Sequence, residues 1–453
     1  MAEPTVTDDP ARALTQPPLG RTVSAVADPE LGAHLLETRG IHWIHAANGD
    51  PYAAVLRGQA DDPYPAYERV RARGVLSFSP TGSWVTADHA VAASVLCSTE
   101  FGVPGADGVP VPQQVLSYGE GCPLEHEQAP RAAAEVPGAW AGQRRAVVEE
   151  VHRQILEGLA PDPSASYAFE LVGGFVRPAV TGAAAAVLGV PAGRRGEFAE
   201  LVERLRPLSD SLLAPQSLRT VRAADGALAA LTALLAEAGV SAATDGSDPS
   251  SGPSAPSSDP SASSSGPTAP SSGPTAPSSG VAGRPDGALL SALGVTAAVQ
   301  LTGNAVLALL AHPEQWRELC ARPGLAAAAV EETLRYDPPV QLDARVARVE
   351  TELAGRRLPA GAHVVVLTAG TGRDPGVFTD PERFDLARPD ATAHLALHPA
   401  GPYGPVASLV RLQAEVALRT LAGRFPGLRK AGPVLRPRRA PVGRGPLSVP
   451  VGS

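Results

Sequence analysis

The stretch VEETLRYDPPV, residues 330–340, contains the residue pattern that decides the fold. Glu332 and Arg335 are three positions apart, so on a helix their side chains lie on one face and can form an ion pair. The helix has to end before Pro338, because proline interrupts a helix and disfavours the helical conformation of the residue before it. By itself the pattern is weakly specific, since ion pairs at this spacing are common on helix surfaces and stabilise little.

Two later stretches make the pattern specific. GRDPGVFTDPERFD occupies residues 372–385, and HLALHPAGPYGPVASLVRLQAEVALRTLAGRFPGL occupies residues 394–428, where a loop leads into a long helical pattern. In this order and at this spacing, the three stretches closely resemble the C-terminal half of the cytochrome P450 family. Near the N-terminus, DDPYPAYERVRARG at residues 61–74 extends the resemblance to roughly residues 50–435. We therefore expect the cytochrome P450 fold, a mainly α structure with small β-sheets (α+β), which agrees with the helical periodicity of the remaining segments.

The resemblance implies a structural role for three charged side chains. In the family, the two residues of the ExxR pattern join an arginine of the PERF element, which here gives Glu332, Arg335 and Arg383. This structural triad braces the loop that carries the haem ligand, and a buried charged cluster is costly to break once formed. It indicates that the scaffold is retained and carries no information about catalysis.

The haem-ligand position itself is changed. The family's ligand is a Cys thiolate in the loop before the last long helix, where it favours cleavage of the O–O bond. Matching the flanking residues without a gap places Gly404 at the cysteine. The positions of the family's Phe and glycines in this loop hold Leu397, His398, Ala400 and Val406. Glycine has no ligating side chain, and the three cysteines of the chain lie outside this loop.

Other haem-site positions implied by the resemblance are also altered. The acid and threonine that deliver protons to bound dioxygen in the family correspond to Thr296 and Ala297 on the long central helix. The His and Arg that contact a haem propionate correspond to Trp140 and Arg144, and a second propionate-type arginine is kept as Arg345. We therefore predict no catalytic residue and no haem cofactor. The separated cysteines and scattered histidines form no recognisable metal or catalytic pattern either.

An alternative interpretation keeps a haem. Tyr403 adjoins the changed ligand position, and a tyrosine phenolate can ligate haem, as can the imidazole of His398. The chain would then be a haem-dependent monooxygenase with an atypical axial ligand. The combined loss of the ligand, its glycines, the acid and threonine, and the propionate histidine argues against this alternative.

The N-terminal part suggests a protein partner. Members of the family without the Cys resemble auxiliary proteins of glycosyltransferases in macrolide and anthracycline antibiotic pathways, and the segment at residues 37–74 is similar to the anthracycline type. The resemblance implies a hetero-oligomer with a glycosyltransferase that moves a deoxysugar from a nucleotide-sugar to a polyketide aglycone. The auxiliary protein stabilises or activates the transferase without catalysing transfer. Candidate contact residues, of the aromatic, aliphatic and Arg types enriched at interface hot spots, are Ile41, His42, Trp43, Ile44, Tyr52 and Arg57. The alternative is that these side chains hold the segment onto the chain's own body.

Composition excludes some partners. The formal net charge of −8 argues against nucleic acid, because phosphate binding needs clustered Lys and Arg. The first residues, MAEPTVTDDPARALTQPP, lack the basic start and apolar run of a secretory signal, so we expect a cytoplasmic protein. Residues 289–311 are uncharged and long enough to cross a bilayer. Gln300 and Asn304 within that segment favour a buried central helix instead, so no membrane association is predicted.

The predicted domain organisation is simple. Residues 1–28 have no apolar periodicity and are expected to form a disordered tail. A single domain is expected over residues 29–453. Residues 241–286 are nearly all Ser, Pro, Gly and Ala, cannot bury enough apolar surface to offset chain entropy, and are predicted to be a disordered insertion.

Overall fold

The fold is mainly helical, with three small sheets. The computed structural model describes residues 19–104, 113–119, 122–125, 138–159, 167–238 and 285–453. The helices in these ranges are α1 (Asp28–Ala47), α2 (Pro51–Leu56), α3 (Tyr64–Arg71), α4 (His89–Cys97), α5 (Gly138–Leu159), α6 (Arg177–Val187), α7 (Arg195–Leu205), α8 (Leu208–Leu213), α9 (Leu218–Glu237), α10 (Pro285–Ala311), α11 (Pro313–Ala321), α12 (Ala326–Tyr336), α13 (Thr368–Thr371) and α14 (Ala407–Arg424). The predicted α+β class is confirmed.

The strands are short and lie mostly beside the helical body. They are β1 (Ser77–Ser79), β2 (Ser83–Thr86), β3 (Phe101–Gly102), β4 (Ala168–Glu170), β5 (Asp343–Ala347), β6 (Thr351–Leu353), β7 (Arg356–Leu358), β8 (His363–Val366), β9 (Arg429–Lys430) and β10 (Pro450–Gly452). The largest sheet has the order β1-β2-β8-β5-β3, in which only the β2–β8 pair is parallel. β4, β10 and β9 form a second sheet, and β6 pairs with β7. The five-stranded sheet thereby links the N-terminal part to the segment that precedes the loop at residues 394–406.

The long helix α10 forms the centre of the helical body. It packs against α14, α12, α6 and α9. Among the described residues, its segment Leu289–Ala311 is the one stretch long and apolar enough to span a membrane, and 78% of its most apolar window is buried inside the protein. The buried side chains of α10 include Leu290, Leu301 and Leu309, all fully enclosed. Its apolar character is therefore explained by the core of this fold.

Packing begins earlier than the sequence predicted. Val23 and Val26 are buried in the main core, so the packed body starts before residue 28. Two valines spaced by three residues are too short a signal for a periodicity argument, so periodicity does not detect the packed residues before Asp28. Residues 1–18 lie outside the described residues. So does the predicted insertion at 241–286, except that Pro285 and Asp286 already belong to α10.

Candidate functional site

The ExxR pair forms the buried anchor of the site. Both side chains are on α12 and are fully buried, and the guanidinium of Arg335 contacts both carboxylate oxygens of Glu332 at 2.8 Å. Arg335 also donates to the carbonyl oxygens of Gly372, Pro381 and Arg383, at 2.8 to 2.9 Å. The helix thereby holds the segment at residues 372–383 by main-chain contacts. The Nε, Nη1 and Nη2 groups of Arg335 therefore all donate hydrogen bonds. A buried ion pair is stable only when its remaining donors are satisfied in this way.

The third member of the triad is Arg388, and the prediction of Arg383 was wrong. Arg388 Nε lies 3.1 Å from Glu332 Oε1, and its side chain is 7% exposed. The Arg383 side chain is 66% exposed and lies 3.6 Å from Asp385. Arg383 contributes only its carbonyl oxygen, which accepts from Arg335 and Arg388. The chain turns after Phe384, so Arg388, four residues later, is the arginine directed at the carboxylate.

A second polar cluster fixes the start of the loop, and sequence reasoning missed it. His394 Nε2 lies 3.0 Å from Glu331 on α12, and Arg411 on α14 contacts the same carboxylate at 2.7 Å. Burial would raise the pKa of Glu331, but the His394 hydrogen bond and the Arg411 charge lower it to about 2. Glu331 is thus a charged link between α12, α14 and the loop. The sequence shows an acid, Glu331, beside the ExxR glutamate. No local spacing connects it to His394 and Arg411, which are 63 and 80 positions away in the chain.

The loop leaves no room for a side chain at Gly404. A Cβ built on Gly404 would lie 2.1 Å from the carbonyl oxygen of Pro399 and 2.8 Å from that of His398. Real Cβ atoms do not approach so closely, and both obstacles are backbone atoms that cannot rotate away. The loop has therefore folded into the space where a ligating side chain at this position would begin.

Helix α10 lies directly against this loop. Gly294 is two residues before Thr296, and a Cβ built on it would lie 3.1 Å from Cγ2 of Val406. Val406, Tyr403 and Ala297 belong to one buried core cluster. Beside Tyr403 the remaining cavity has a volume of about 80 Å³ and is lined mainly by apolar side chains. By that measure the space holds a few water molecules.

Comparisons with known proteins agree with this scaffold. The cytochrome P450 family profile matches residues 315–401. The cytochrome P450 family protein EryCII of Saccharopolyspora erythraea is 32% identical over 437 residues, which cover 93% of this chain and 97% of that protein. The chain belongs to the cytochrome P450 family. Protein DesVIII of Streptomyces venezuelae is 79% identical over 448 residues, 99% of this chain and 100% of that protein.

The fold is shared with solved structures of the P450 family. The crystal structure of ligand-free CYP164A2 from Mycobacterium smegmatis superposes with a TM-score of 0.65 at 23% identity, covering 88% of this chain and 99% of that one. At this identity the likeness concerns the fold alone. The predicted cytochrome P450 fold is confirmed.

The described residues do not fit a P450 haem. In the family the iron is ligated from the loop and dioxygen is activated from the central helix, so the haem has to lie between these two elements. Here Gly294 on α10 faces Val406 of the loop at contact distance, and Gly404 offers neither a ligand nor space for one. Thr296 is half-buried on α10, and the side chain of Ala297 is part of the core. No step of oxygen chemistry can be built from this arrangement.

The retained arginine at position 345 is engaged elsewhere. Arg345 Nη1 lies 2.8 Å from Asp343, and Nη2 donates to the carbonyl oxygen of Ala400 at 3.3 Å. Burial raises the pKa of Asp343, and the Arg345 charge only partly offsets that effect. Arg345 therefore closes the loop onto β5. Arg144 on α5 is half-buried, and burial lowers its pKa. The side chain of Trp140 lies outside the described residues.

The two substitute ligands are poorly placed for that role. Tyr403 is buried, and burial raises the pKa of its phenol despite a hydrogen bond with Ser209. His398 accepts from the Ala400 amide through Nδ1, and its Nε2 lies 3.6 Å from Cys97 Sγ. Within the described ranges, no group of three or more His, Cys, Asp or Glu side chains is placed to hold a metal ion.

The candidate contact residues divide between the two sides of α1. Ile41 and Tyr52 are buried, so their assignment as direct partner contacts was wrong. Ile41 lies on the buried side of α1, and Tyr52 is a buried residue of α2, which packs against α1. His42 is also buried, and burial together with His45 lowers its pKa to about 4. Trp43 and Ile44 point outward, with 52% and 51% of their surface exposed.

These two residues belong to a continuous apolar surface. Leu36 on the same helix is 65% exposed, and positions 36, 40, 43 and 44 fall on one helical face. Gly40 lies between them, and a Cβ built there would meet no atom within 4 Å. We call Leu36, Gly40, Trp43 and Ile44 the α1 outer face. The guanidinium of Arg57 lies 4.3 Å from the centre of the Trp43 ring at one end of this face.

Proposed function

We propose that this chain is a non-catalytic auxiliary subunit that binds and activates a glycosyltransferase. The transferase would move a deoxysugar from a nucleotide-sugar to a polyketide aglycone in an antibiotic pathway. The observation that supports the proposal is that Gly294 on α10 lies against Val406 of the loop, while a side chain at Gly404 would clash with the backbone of Pro399 and His398. A scaffold kept intact without its chemistry favours a binding role.

Similarity to a named relative is compatible with this role. Protein DesVIII aligns along its whole length with this chain at 79% identity, so we infer that the two proteins share one role. The proposal places the complex in the cytoplasm, where the nucleotide-sugar donor is found, with no nucleic acid, membrane or haem required. The monooxygenase alternative has no comparable support, because the buried Tyr403 phenol is hydrogen-bonded with Ser209 on α8 and His398 accepts from the Ala400 amide.

Binding alone is sufficient for activation. A subunit that binds only the active, folded state of its partner stabilises that state by mass action. The auxiliary protein can shift the transferase toward its active state by as much free energy as the difference between its binding free energies for the active and inactive states. No catalytic group is needed on the auxiliary protein for this effect. A factor of 100 in differential affinity corresponds to about 2.7 kcal/mol. That is within the range a single protein interface supplies.

The central experiment is reconstitution with the glycosyltransferase of the same pathway. We expect soluble yield and sugar-transfer rate to rise at least about 10-fold when this chain is present, and the two proteins to co-elute as a hetero-oligomer. Full activity and solubility of the transferase alone would refute the proposal.

A visible absorption spectrum tests the haem-free part separately. Protein produced with a haem precursor in the medium is expected to show no Soret band after purification. A Soret band that disappears in Tyr403→Phe would restore the monooxygenase alternative.

A further inference from the structure

A notch lined by three arginines lies beside the α1 outer face. Arg39, Arg57 and Arg439 line it together with His42 and Trp43. Its free volume is about 120 Å³. We call this set of five residues the arginine notch. Because Trp43 belongs both to the notch and to the α1 outer face, the charged and apolar surfaces are continuous.

The described lining of the notch is positively charged. Among the residues that the structure describes, no carboxylate lines the notch beside Arg39, Arg57 and Arg439. Arg39 donates to the carbonyl oxygen of Gln216 at 3.3 Å, and Arg57 donates to Gln59 at 2.8 Å. Burial and the charge of Arg439 both lower the pKa of Arg39. The three arginines therefore form a local concentration of positive charge in a chain whose net charge is −8.

Several buried polar atoms in the notch lack hydrogen-bond partners. They are Nε of Arg39, Nε of Arg57 and Nδ1 of His42. His42 is 8% exposed, so water does not readily solvate it. Buried polar groups are normally hydrogen-bonded, so these atoms show that the side chains lining the notch do not satisfy one another. An anion placed in the notch would supply acceptors to guanidinium groups that present several donors in a planar fork.

We propose that the arginine notch receives a carboxylate side chain of the partner glycosyltransferase, while apolar side chains next to that carboxylate cover the α1 outer face. This inference rests on the proposed function and names the surface through which it operates. A protein segment fits better than a free phosphate because the notch continues into exposed Leu36, Trp43 and Ile44, which a small anion would leave uncovered. The partner surface is thus acidic at one point and apolar around it.

Such a surface has a defined salt dependence. Charge pairs at an interface raise the association rate and fix the register, and added salt screens them. The apolar part responds little to salt. Association with the partner should therefore weaken as salt rises, and removal of the arginines should abolish most of that dependence.

The test compares charge reversals inside and outside the notch. Arg57→Glu and Arg39→Glu reverse charges that line it, while Arg438→Glu reverses an exposed neighbouring charge that does not. Affinity for the purified transferase is measured at low and high salt. We expect the two notch variants to bind at least about 10-fold more weakly at low salt and to lose most of the salt dependence, with Arg438→Glu close to wild type. Arg57→Gln, which removes charge without reversing it, should give an intermediate loss.

Separate outcomes distinguish failure of this inference from failure of the proposed function. No binding of the wild-type protein to the transferase would refute the proposed function itself. Wild-type-like affinity and salt dependence in both notch variants, with folding intact by thermal denaturation, would refute the notch while leaving the auxiliary role in place. Inorganic pyrophosphate is titrated as a probe in the absence of partner. Saturable binding that Arg57→Glu abolishes would assign the notch to a free phosphate ligand and overturn the inference.

Discussion

The loop at residues 394–406 and the α1 outer face differ in how completely the chain satisfies its own groups. Around the loop, Arg345 pairs with Asp343, His394 pairs with Glu331, and a Cβ at Gly404 would clash with backbone. On α1, Leu36, Trp43 and Ile44 are exposed and the notch beside them keeps unpaired donors.

The difference indicates where binding takes place. A region whose charged side chains are paired from within and whose ligand position is blocked by backbone offers few free polar groups, even where a small apolar cavity remains beside Tyr403. A region with exposed apolar side chains and unsatisfied charge offers both area and specificity. In this P450-family chain the ancestral cofactor region is of the first kind and the N-terminal helix is of the second.

The largest expected effect comes from removing the carboxylate of the buried ion cluster that supports the loop. Glu332→Ala would leave the guanidinium groups of Arg335 and Arg388 buried without their carboxylate, and breaking a buried ion cluster in this way costs roughly 3–5 kcal/mol. Chemical denaturation measures the loss in unfolding free energy. The matched control is Arg383→Ala, expected to change stability by less than about 0.5 kcal/mol because its side chain is exposed. Equal losses in the two variants would contradict the assignment of Arg388.

The second prediction concerns the closed loop itself. Gly404→Ala places a methyl group against two backbone carbonyls, and overpacking against atoms that cannot move should cost about 3 kcal/mol. Gly423→Ala in α14 is the control, because a Cβ there meets nothing within 4 Å and helix propensity favours alanine. Gly404→Cys should also fail to produce a Soret band. A stable, haem-binding Gly404→Cys protein would show that the space at Gly404 can open. The loop at residues 394–406 would then no longer differ from the α1 outer face in its ability to bind a ligand.

The scaffold was readable from sequence because its signals are local and ordered. The ExxR spacing, the PERF element and the helix after the loop all depend on neighbours within a few residues, so Glu332 and Arg335 were correctly placed in the buried anchor. The third arginine was not, since Arg383 lies in the PERF element and Arg388 follows it, and only the turn after Phe384 decides which one faces inward. The closure of the slot depends on Gly294 meeting Val406 across more than a hundred residues.

The helix α1 resisted sequence reasoning for a different reason. Its buried stripe consists of Leu31, His34, Leu35, Thr38, Ile41, His42 and His45, spaced as one helical face. Four of these seven are His or Thr, while Leu36, Trp43 and Ile44 face outward. Apolar residues therefore occur on both sides of α1, and the helix shows little hydrophobic periodicity. Residue type alone could not tell that Ile41 is buried and Ile44 is exposed. To assign the two sides of α1, the position of each residue around the helix has to be combined with the observation that His and Thr side chains are buried.

The third prediction tests the outer side of α1 directly. Trp43→Ser combined with Ile44→Ser removes exposed apolar surface, so the unfolding free energy of the isolated protein should change by less than about 0.5 kcal/mol. Affinity for the transferase should fall by about 2 kcal/mol, roughly 30-fold, as expected for aromatic interface residues. The control is Leu435→Ser, another exposed large apolar residue that is distant in sequence from α1. Equal losses of affinity for both surfaces would show that exposure alone does not locate the interface.

The smallest expected effect separates folding from binding at a single position. Gly40→Ala adds a methyl group where no atom lies within 4 Å, and alanine is favoured over glycine inside a helix by about 1 kcal/mol. Gly226→Ala in α9 is the matched control, since Gly226 is helical, exposed and equally unobstructed. Both variants should raise the melting temperature by a similar amount. Only Gly40→Ala should weaken transferase binding, because the added methyl group stands between Leu36 and Trp43 where the partner packs. Tighter or unchanged binding in Gly40→Ala would mean that the partner leaves this part of the face uncovered, and the docking surface would then contract to Trp43, Ile44 and the arginine notch.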